Sequence, residues 1–183
     1  MTSPAAERGR EVRQKLLVAA VELIPERGWT AVSTRVLAER AGVSPSVVHY
    51  HFPSLSVLLN EAVLGVMRAM VVELDALLDT VSTRADAVAA LLASVERYSG
   101  ADPTSLMFIE AYLAATRDEA LRAEISEILS GFRARFARWL AGHGQEAPEE
   151  TAAVLLAVLD GLLLHRGLGA GVSAGEVLRR LVE

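Results

Sequence analysis

The sequence of 183 residues contains no cysteine. Disulfide bonds, thiol catalysis and thiolate metal sites are therefore excluded. Aromatic residues make up only 5% of the chain, and Lys15 is the single lysine beside 17 arginines. With arginine so dominant, the presence of an arginine at a given position is by itself weak evidence for a function.

Long segments that are both uncharged and apolar are also lacking. The apolar run from Ala152 to Leu164 contains Asp160 and is shorter than the roughly 20 residues that cross a bilayer. Residues 1–13 are polar, unlike the apolar core of a signal peptide. These features predict a cytoplasmic protein with no membrane partner.

What the chain has in abundance is aliphatic side chains. Hydrophobic residues make up 52% of the sequence and the mean hydropathy is +0.33. The net charge of −5 is unevenly placed, because residues 1–55 hold seven basic and five acidic side chains while the remainder holds eleven and eighteen. This asymmetry is expected when only the amino-terminal end meets phosphate groups.

Helical periodicity dominates the chain. Apolar residues from Leu55 to Leu78 recur at helical spacing for about 25 residues, which corresponds to roughly 37 Å of helix. Further helices are predicted near 10–27, 84–98, 103–116, 118–141, 149–166 and 174–182, after a disordered arm of about nine residues. No strand-like alternation competes with this pattern, so an all-α fold is predicted.

The segment from Ser33 to Phe52 is the most informative one. It has the pattern of two short helices joined by a tight turn, with Gly42 placed where the first helix must stop in a left-handed conformation. Ser44 is expected to cap the second helix, and Pro45 suits its first turn. This arrangement is a helix-turn-helix, whose second helix enters the DNA major groove. A helical corner inside an ordinary bundle is the alternative.

Neighbouring residues extend the pattern at fixed spacing. The matching positions are Gly28, Ser33-Thr34-Arg35, Leu37-Ala38, Ala41-Gly42-Val43-Ser44 and His51-Phe52-Pro53-Ser54. Over about residues 10–62 the chain resembles the TetR family of bacterial transcriptional regulators. The resemblance implies an amino-terminal three-helix DNA-binding domain over 10–55, with its motif at 33–52, and a larger helical ligand-binding and dimerisation domain over 56–183.

Three positions depart from the family pattern. His49 replaces a usual tyrosine, Ser46 replaces a frequent glycine, and Leu55 stands where a phosphate-binding lysine is common. Since phosphate contacts supply much of the affinity and its salt dependence, we expect weaker or less salt-sensitive binding than in a typical member.

The DNA-binding residues are predicted within the motif. Arg35 is a candidate for bidentate bonding to guanine, Val47 for contact with a thymine methyl group, and Tyr50 and His51 match phosphate-contacting positions of the family. His49 and His51 diverge in direction on a helix, which argues against a metal site. The full predicted set is Ser33, Thr34, Arg35, Ser44, Pro45, Ser46, Val47, His49, Tyr50 and His51.

The larger domain offers candidates for a second ligand. The resemblance implies an unidentified small-molecule effector and no other cofactor, with a cavity lined by some of Met67, Met70, Phe108, Tyr112 and Trp139. Ordinary core packing is the alternative for each of these residues. Glu110, Asp160 and His165 are polar residues within predicted apolar helices. They are candidates for polar contacts in such a cavity. Burial beside a local partner, or exposure where two helices meet, is the alternative for each.

The helix near 149–166 is apolar nearly all round, which is typical of a helix buried on both sides. The resemblance implies that it forms a homodimer interface together with the helix near 174–182. A deeply buried core helix in a monomer is the alternative. A symmetric dimer would place its two DNA-binding domains, here called heads, on the two half-sites of a near-palindromic operator.

The sequence therefore predicts a DNA-binding transcriptional regulator, a ligand-released repressor that binds its operator as a dimer. One alternative is a DNA-independent helical adaptor. Another is an acyl-CoA-binding enzyme, since the segment from Arg166 to Gly171 superficially resembles a pyrophosphate-binding loop. That loop should follow a strand, and no catalytic residue set is apparent, so we predict that the protein is not an enzyme.

Overall fold

The computed structural model describes residues 4–183. Within this range the chain forms α-helices, one 3-10 turn at Trp29–Ala31 and no strand, which confirms the predicted all-α fold. The helices are α1 (Pro4–Arg27), α2 (Thr34–Ala41), α3 (Pro45–His51), α4 (Leu55–Leu78), α5 (Arg84–Glu96), α6 (Pro103–Ala115), α7 (Glu119–Gly142), α8 (Pro148–Gly167) and α9 (Gly175–Arg180).

Helix α1 begins at Pro4. The predicted disordered arm is therefore wrong over residues 4–9, and residues 1–3 of that arm lie outside the described residues. Proline is favoured in the first turn of a helix, where its missing N–H costs nothing, and Glu7 in the same turn interacts favourably with the positive end of the helix dipole.

The chain divides into two compact units. The first comprises the residues up to Val66 together with Leu106–Arg122, and the second comprises Met67–Ser105 and Ala123–Glu183. The two domains predicted from the sequence, 10–55 and 56–183, are each continuous, whereas the first compact unit is not. Met107, Ala111 and Leu121 are buried residues of this unit, although they lie about 40 residues or more beyond Val66 in the sequence.

In the first unit, α1 packs against α2 and the 3-10 turn, and α2 packs against α3. The side chains at helical spacing on α1 are fully or almost fully buried, as are those on the inner faces of α2, α3 and the start of α4. They include Leu16, Ala20, Leu23, Ile24, Leu37, Ala38, Val48, Phe52, Leu58 and Val63. This core fixes the crossing of the two short helices.

In the second unit, α5 packs against α8 and α9. Its core cluster draws on α5, α7, α8 and α9 and contains Ala87, Leu91, Phe132, Phe136, Leu140, Ala152, Leu155, Leu159 and Leu178. A second junction involves backbone alone, because a Cβ atom on Gly100 would lie 2.3 Å from the Gly167 nitrogen. Beside it, the Arg166 guanidinium donates to the carbonyl oxygens of Val95 and Tyr98 at 3.1 and 2.8 Å. The carboxyl end of α8 thus packs against the residues that follow α5 and is hydrogen-bonded to the carboxyl end of that helix.

Helix α4 is long and apolar enough to cross a membrane by length and composition alone, and it is the one such helix among the described residues. Its apolar sequence is interrupted by four charged residues, Glu61, Arg68, Glu73 and Asp75. Core helices of water-soluble proteins satisfy the same test, and Leu58, Leu59 and Val63 of α4 are buried inside the protein.

Candidate DNA-binding site

Helix α2 starts and ends as its sequence predicts. Ser33 is the N-cap, and its hydroxyl accepts a hydrogen bond from the Val36 N–H at 3.3 Å. Gly42 adopts the left-handed conformation, with φ 68° and ψ 34°, and its N–H bonds to the last-turn carbonyls of Ala38 and Glu39. The Val43 N–H bonds to the Ala38 carbonyl at 2.9 Å, which closes the helix end. A non-glycine residue at position 42 would meet backbone strain, so this residue sets the tight turn.

Helix α3 begins differently from the prediction. Ser44 occupies the N-cap position, but its side chain caps no backbone N–H, so the expected capping bond is wrong. The Ser44 hydroxyl pairs instead with the Ser46 hydroxyl at 2.8 Å. The Val47 N–H, which an N-cap side chain could accept from, bonds instead to the Ser44 backbone carbonyl at 3.0 Å, and the serine hydroxyl is left for this contact. Two paired hydroxyl groups therefore stand on the exposed start of α3.

The predicted DNA-binding residues remain accessible in the protein. Tyr50 is 85% exposed, and none of the ten is buried. Those classed as exposed are Ser33, Arg35, Ser44, Pro45, Ser46, His49 and Tyr50, while Thr34, Val47 and His51 are half-buried. Val48 and Phe52, which the sequence assigned to the core, are both 2% exposed. The ten thus meet the first requirement for contact with DNA, and their contacts stay a prediction.

Ion pairing separates the arginines of the first unit into two kinds. Arg40 of α2 donates to Glu22 and Glu26 of α1 at 3.2 and 2.5 Å, and the hydrogen bond from Arg40 lowers the pKa of Glu26. Arg13 pairs with Glu61 at 2.5 Å, with its guanidinium 4.6 Å from the Phe52 ring centre. These side chains hold helices together, a role that sequence spacing alone did not reveal.

Arg35 is of the other kind. It is exposed at the first turn of α2, and among the ion pairs of residues 4–183 none involves it. An unpaired guanidinium keeps its donors available for phosphate or guanine acceptors. Arg35 is therefore the best-placed cation of the motif for a DNA contact.

Two carboxylates of residues 106–122 accept hydrogen bonds from the amino-terminal part of the first unit. Glu110 of α6 accepts a hydrogen bond from the Trp29 backbone N–H at 2.7 Å. Asp118 accepts from the Leu121 N–H at 3.0 Å and from the Asn60 amide of α4 at 3.1 Å, and these bonds lower its pKa. The sequence had placed Glu110 among polar residues of apolar helices without naming its partner, which lies 81 residues away.

The predicted effector-contacting residues are distributed over both units. Phe108 and Tyr112 belong to the first unit, and Met67, Met70 and Trp139 to the second. Met67 is buried, whereas the other four retain partial or full exposure. Trp139 stacks on Phe136 and His143, with ring centres 6.4 and 3.7 Å apart, and its carbonyl bonds to the His143 ring. Their role in ligand binding stays a prediction.

The last features to place are possible metal ligands and the glycine-rich segment at the end of α8. Among residues 4–183 no group of three histidine or acidic side chains is placed to hold a metal ion. The glycine-rich segment from Arg166 to Gly171 ends α8 instead of following a strand, and Arg166 is bonded to the α5 carbonyls. Helix termination is therefore the role that the geometry assigns to this segment.

The fold and the helix-turn-helix have counterparts in known proteins. An HTH-type transcriptional regulator of Mycobacterium bovis, uncharacterised, is 28% identical over 92% of this chain and 89% of its own. The crystal structure of a transcriptional regulator from Streptomyces coelicolor has 29% identity and a TM-score of 0.77, covering 94% of this chain and 96% of that one. A regulator from Saccharomonospora viridis, solved in complex with choline, has the same fold at 22% identity, a TM-score of 0.76 and 94% coverage of both chains.

Family profiles match both parts of the chain. Residues 16–62 match the profile described as bacterial regulatory proteins, tetR family, and residues 82–183 match the tetracyclin repressor-like C-terminal domain. The second match alone spans more than half of the sequence. The chain therefore belongs to the TetR family of transcriptional regulators, with a helix-turn-helix as its DNA-binding element.

Proposed function

We propose that this protein is a cytoplasmic repressor that binds a near-palindromic operator as a homodimer and leaves it when a small molecule binds. The observation that carries the DNA-binding part is that the motif exposes the unpaired Arg35 on α2 and the paired hydroxyls of Ser44 and Ser46 at the start of α3. Two other arginines of the same unit, Arg13 and Arg40, are engaged with carboxylates. The motif thus offers one free guanidinium and two hydroxyl groups to base edges or phosphates.

Dimerisation is supported by apolar side chains that stay exposed on α8 and at the carboxyl end of the chain. They are Val154 and Leu164 of α8, Val177 of α9 and Leu181 directly after α9. Association with a second subunit would remove this apolar surface from water. An isologous interface would generate two identical heads related by a two-fold axis, which read half-sites about one turn of DNA apart or more.

Release by a ligand follows from linkage. A small molecule weakens DNA binding only if it prefers a conformation in which the two heads no longer fit the half-sites, and DNA must then weaken the binding of that molecule by the same factor. The choline complex of a structural neighbour supports a small organic effector. The effector of this chain is not identified by that neighbour, because the two sequences share only 22% identity.

The DNA-binding proposal is tested with Arg35→Ala. Duplexes selected from a randomised pool by the wild-type protein serve as the probe, and affinity is measured by fluorescence anisotropy. Losing a bidentate contact to guanine should cost about 1–3 kcal/mol per site, or roughly 5- to 150-fold in affinity.

Arg27→Ala is the matched control. Arg27 belongs to the same unit and carries the same charge, but it pairs with Glu26 at 3.5 Å outside the motif. We expect its loss to change affinity by less than about threefold, as for a surface charge. Equal losses in both variants would mean that Arg35 contributes only general charge. A wild-type protein that selects no duplex would refute DNA binding itself.

A further inference from the structure

The turn between α1 and α2 has a backbone donor whose partner is distant in the sequence. Gly28 follows α1 with φ 83° and ψ 150°, and its N–H bonds to the Ile24 carbonyl at 2.9 Å. The next N–H, that of Trp29, donates to Glu110 of α6 at 2.7 Å. The carboxylate also lies over Gly28, 3.7–3.9 Å from the position of a Cβ atom there. Glu110 therefore both satisfies the turn and packs against it.

This turn leads directly into the motif. Val32 behind it is buried, Ser33 caps α2, and Thr34 and Arg35 form the first turn of that helix. The other end of α2 is held on α1 by Arg40. Helix α2 is therefore fixed at its end by Arg40 and at its approach by the turn that Glu110 holds.

Asp118 provides a second polar contact of the same kind. It caps the start of α7 through the Leu121 N–H and accepts a hydrogen bond from Asn60 of α4. Both carboxylates come from residues 106–122, which belong to the first unit although the motif ends at residue 52. The head is thus completed by a segment that neither family profile assigns to DNA binding, since the amino-terminal profile stops at residue 62.

We propose that Glu110 is a positioning residue for DNA recognition. It needs no contact with DNA. By accepting the Trp29 N–H it fixes the turn that orients Thr34 and Arg35, and an acceptor oxygen at this place, more than its charge, is what the function requires. This inference rests on the proposed DNA binding and adds a residue outside the motif to the specificity of the head.

The test compares Glu110→Ala, which removes the acceptor, with Glu110→Gln, which removes the charge but keeps an acceptor oxygen. Loss of a charge-assisted hydrogen bond to partly buried backbone is expected to weaken binding of the selected duplex on the order of tenfold. Glu110→Gln should stay within about threefold of wild type. The slope of affinity against salt should be equal in all three proteins, because Glu110 neutralises no phosphate.

Glu119→Ala is the matched control, since Glu119 also lies within residues 106–122 and pairs with Arg122 on the exposed surface of α7. Amide hydrogen exchange at Trp29 gives a readout independent of DNA. Exchange should accelerate in Glu110→Ala and remain slow in Glu110→Gln and Glu119→Ala. If Glu110→Ala fails to fold by circular dichroism, Glu110→Asp replaces it, because it withdraws the oxygens by one methylene and keeps the charge.

Two results would overturn the inference. One is wild-type affinity for the selected duplex in a folded variant whose Trp29 exchange has accelerated. The other is an equal loss of affinity in Glu110→Gln and Glu110→Ala, which would assign the effect to charge. Failure of the wild-type protein to select any duplex is a different outcome and refutes the DNA-binding proposal on which the inference rests.

Discussion

Replacing Leu164 by alanine should weaken the proposed homodimer about 30-fold. Leu164 lies on α8 and is 49% exposed in the single chain. Full burial of a leucine side chain is worth about 1.5–3 kcal/mol, so roughly half of that, about 1 kcal/mol, remains to be gained at an interface. A two-fold axis places the residue there twice. The total is about 2 kcal/mol, and each 1.4 kcal/mol is a factor of ten.

Leu113→Ala is the control for this prediction. Leu113 is a leucine of similar exposure, 51%, but it lies on α6 in the other unit. Sedimentation velocity over a dilution series gives the dimer dissociation constant of each variant. Dimers of wild-type strength for Leu164→Ala, or an equal weakening by Leu113→Ala, would refute the assignment of α8 and α9 to the interface.

Three further variants test separate parts of the structure. Leu55→Lys should tighten binding to selected and scrambled duplexes alike and steepen the salt slope by about one counterion per subunit; a flat slope in anisotropy titrations would contradict the matching of α4 to the family pattern. Gly42→Ala should lower the free energy of unfolding in urea by about 1–2 kcal/mol, because φ is 68° and no neighbouring atom adds a clash, while unchanged stability would argue against a left-handed turn. Asp160 of α8 stays exposed to water, yet partial desolvation raises its pKa above the ordinary value of 3.8. Its ionised carboxylate therefore costs a small part of the stability at neutral pH, and wild type regains that part as the pH falls through the raised pKa. Asp160→Asn should therefore melt at a higher temperature than wild type at pH 8, with a difference that shrinks on acidification; a constant difference would contradict the raised pKa.

The sequence predicted local structure best. Gly42 and Val48 lie as expected, and the helices from α5 to α9 begin and end within about two residues of their predicted bounds. These features depend on neighbours a few residues away, such as a glycine that permits a turn or apolar residues repeated at helical spacing. The predicted capping bond of Ser44 was wrong because two nearby hydroxyl groups have several acceptable hydrogen-bond partners, and sequence spacing does not choose among them.

The contacts of Glu110 and Asp118 could not be predicted in the same way. Their partners lie 81 and 58 residues away in the sequence, and a backbone N–H carries no sequence signal. A glutamate on an apolar helix indicates only that some donor is needed. The apolar pattern of α6 is likewise compatible with burial in either unit, so the sequence does not indicate which of the two compact units this helix joins.

The discontinuous first unit also has a consequence for the timing of folding during synthesis. When the ribosome has released the chain as far as Val66, the helix-turn-helix is complete in sequence, but residues 106–122 do not yet exist. At about 5–20 residues per second, the missing 56 residues take roughly 3–11 s to make. Throughout this interval the Trp29 N–H lacks its carboxylate and the Asn60 amide lacks its acceptor. The newly made DNA-binding unit therefore completes these two hydrogen bonds only after α6 and the first turn of α7 have been translated.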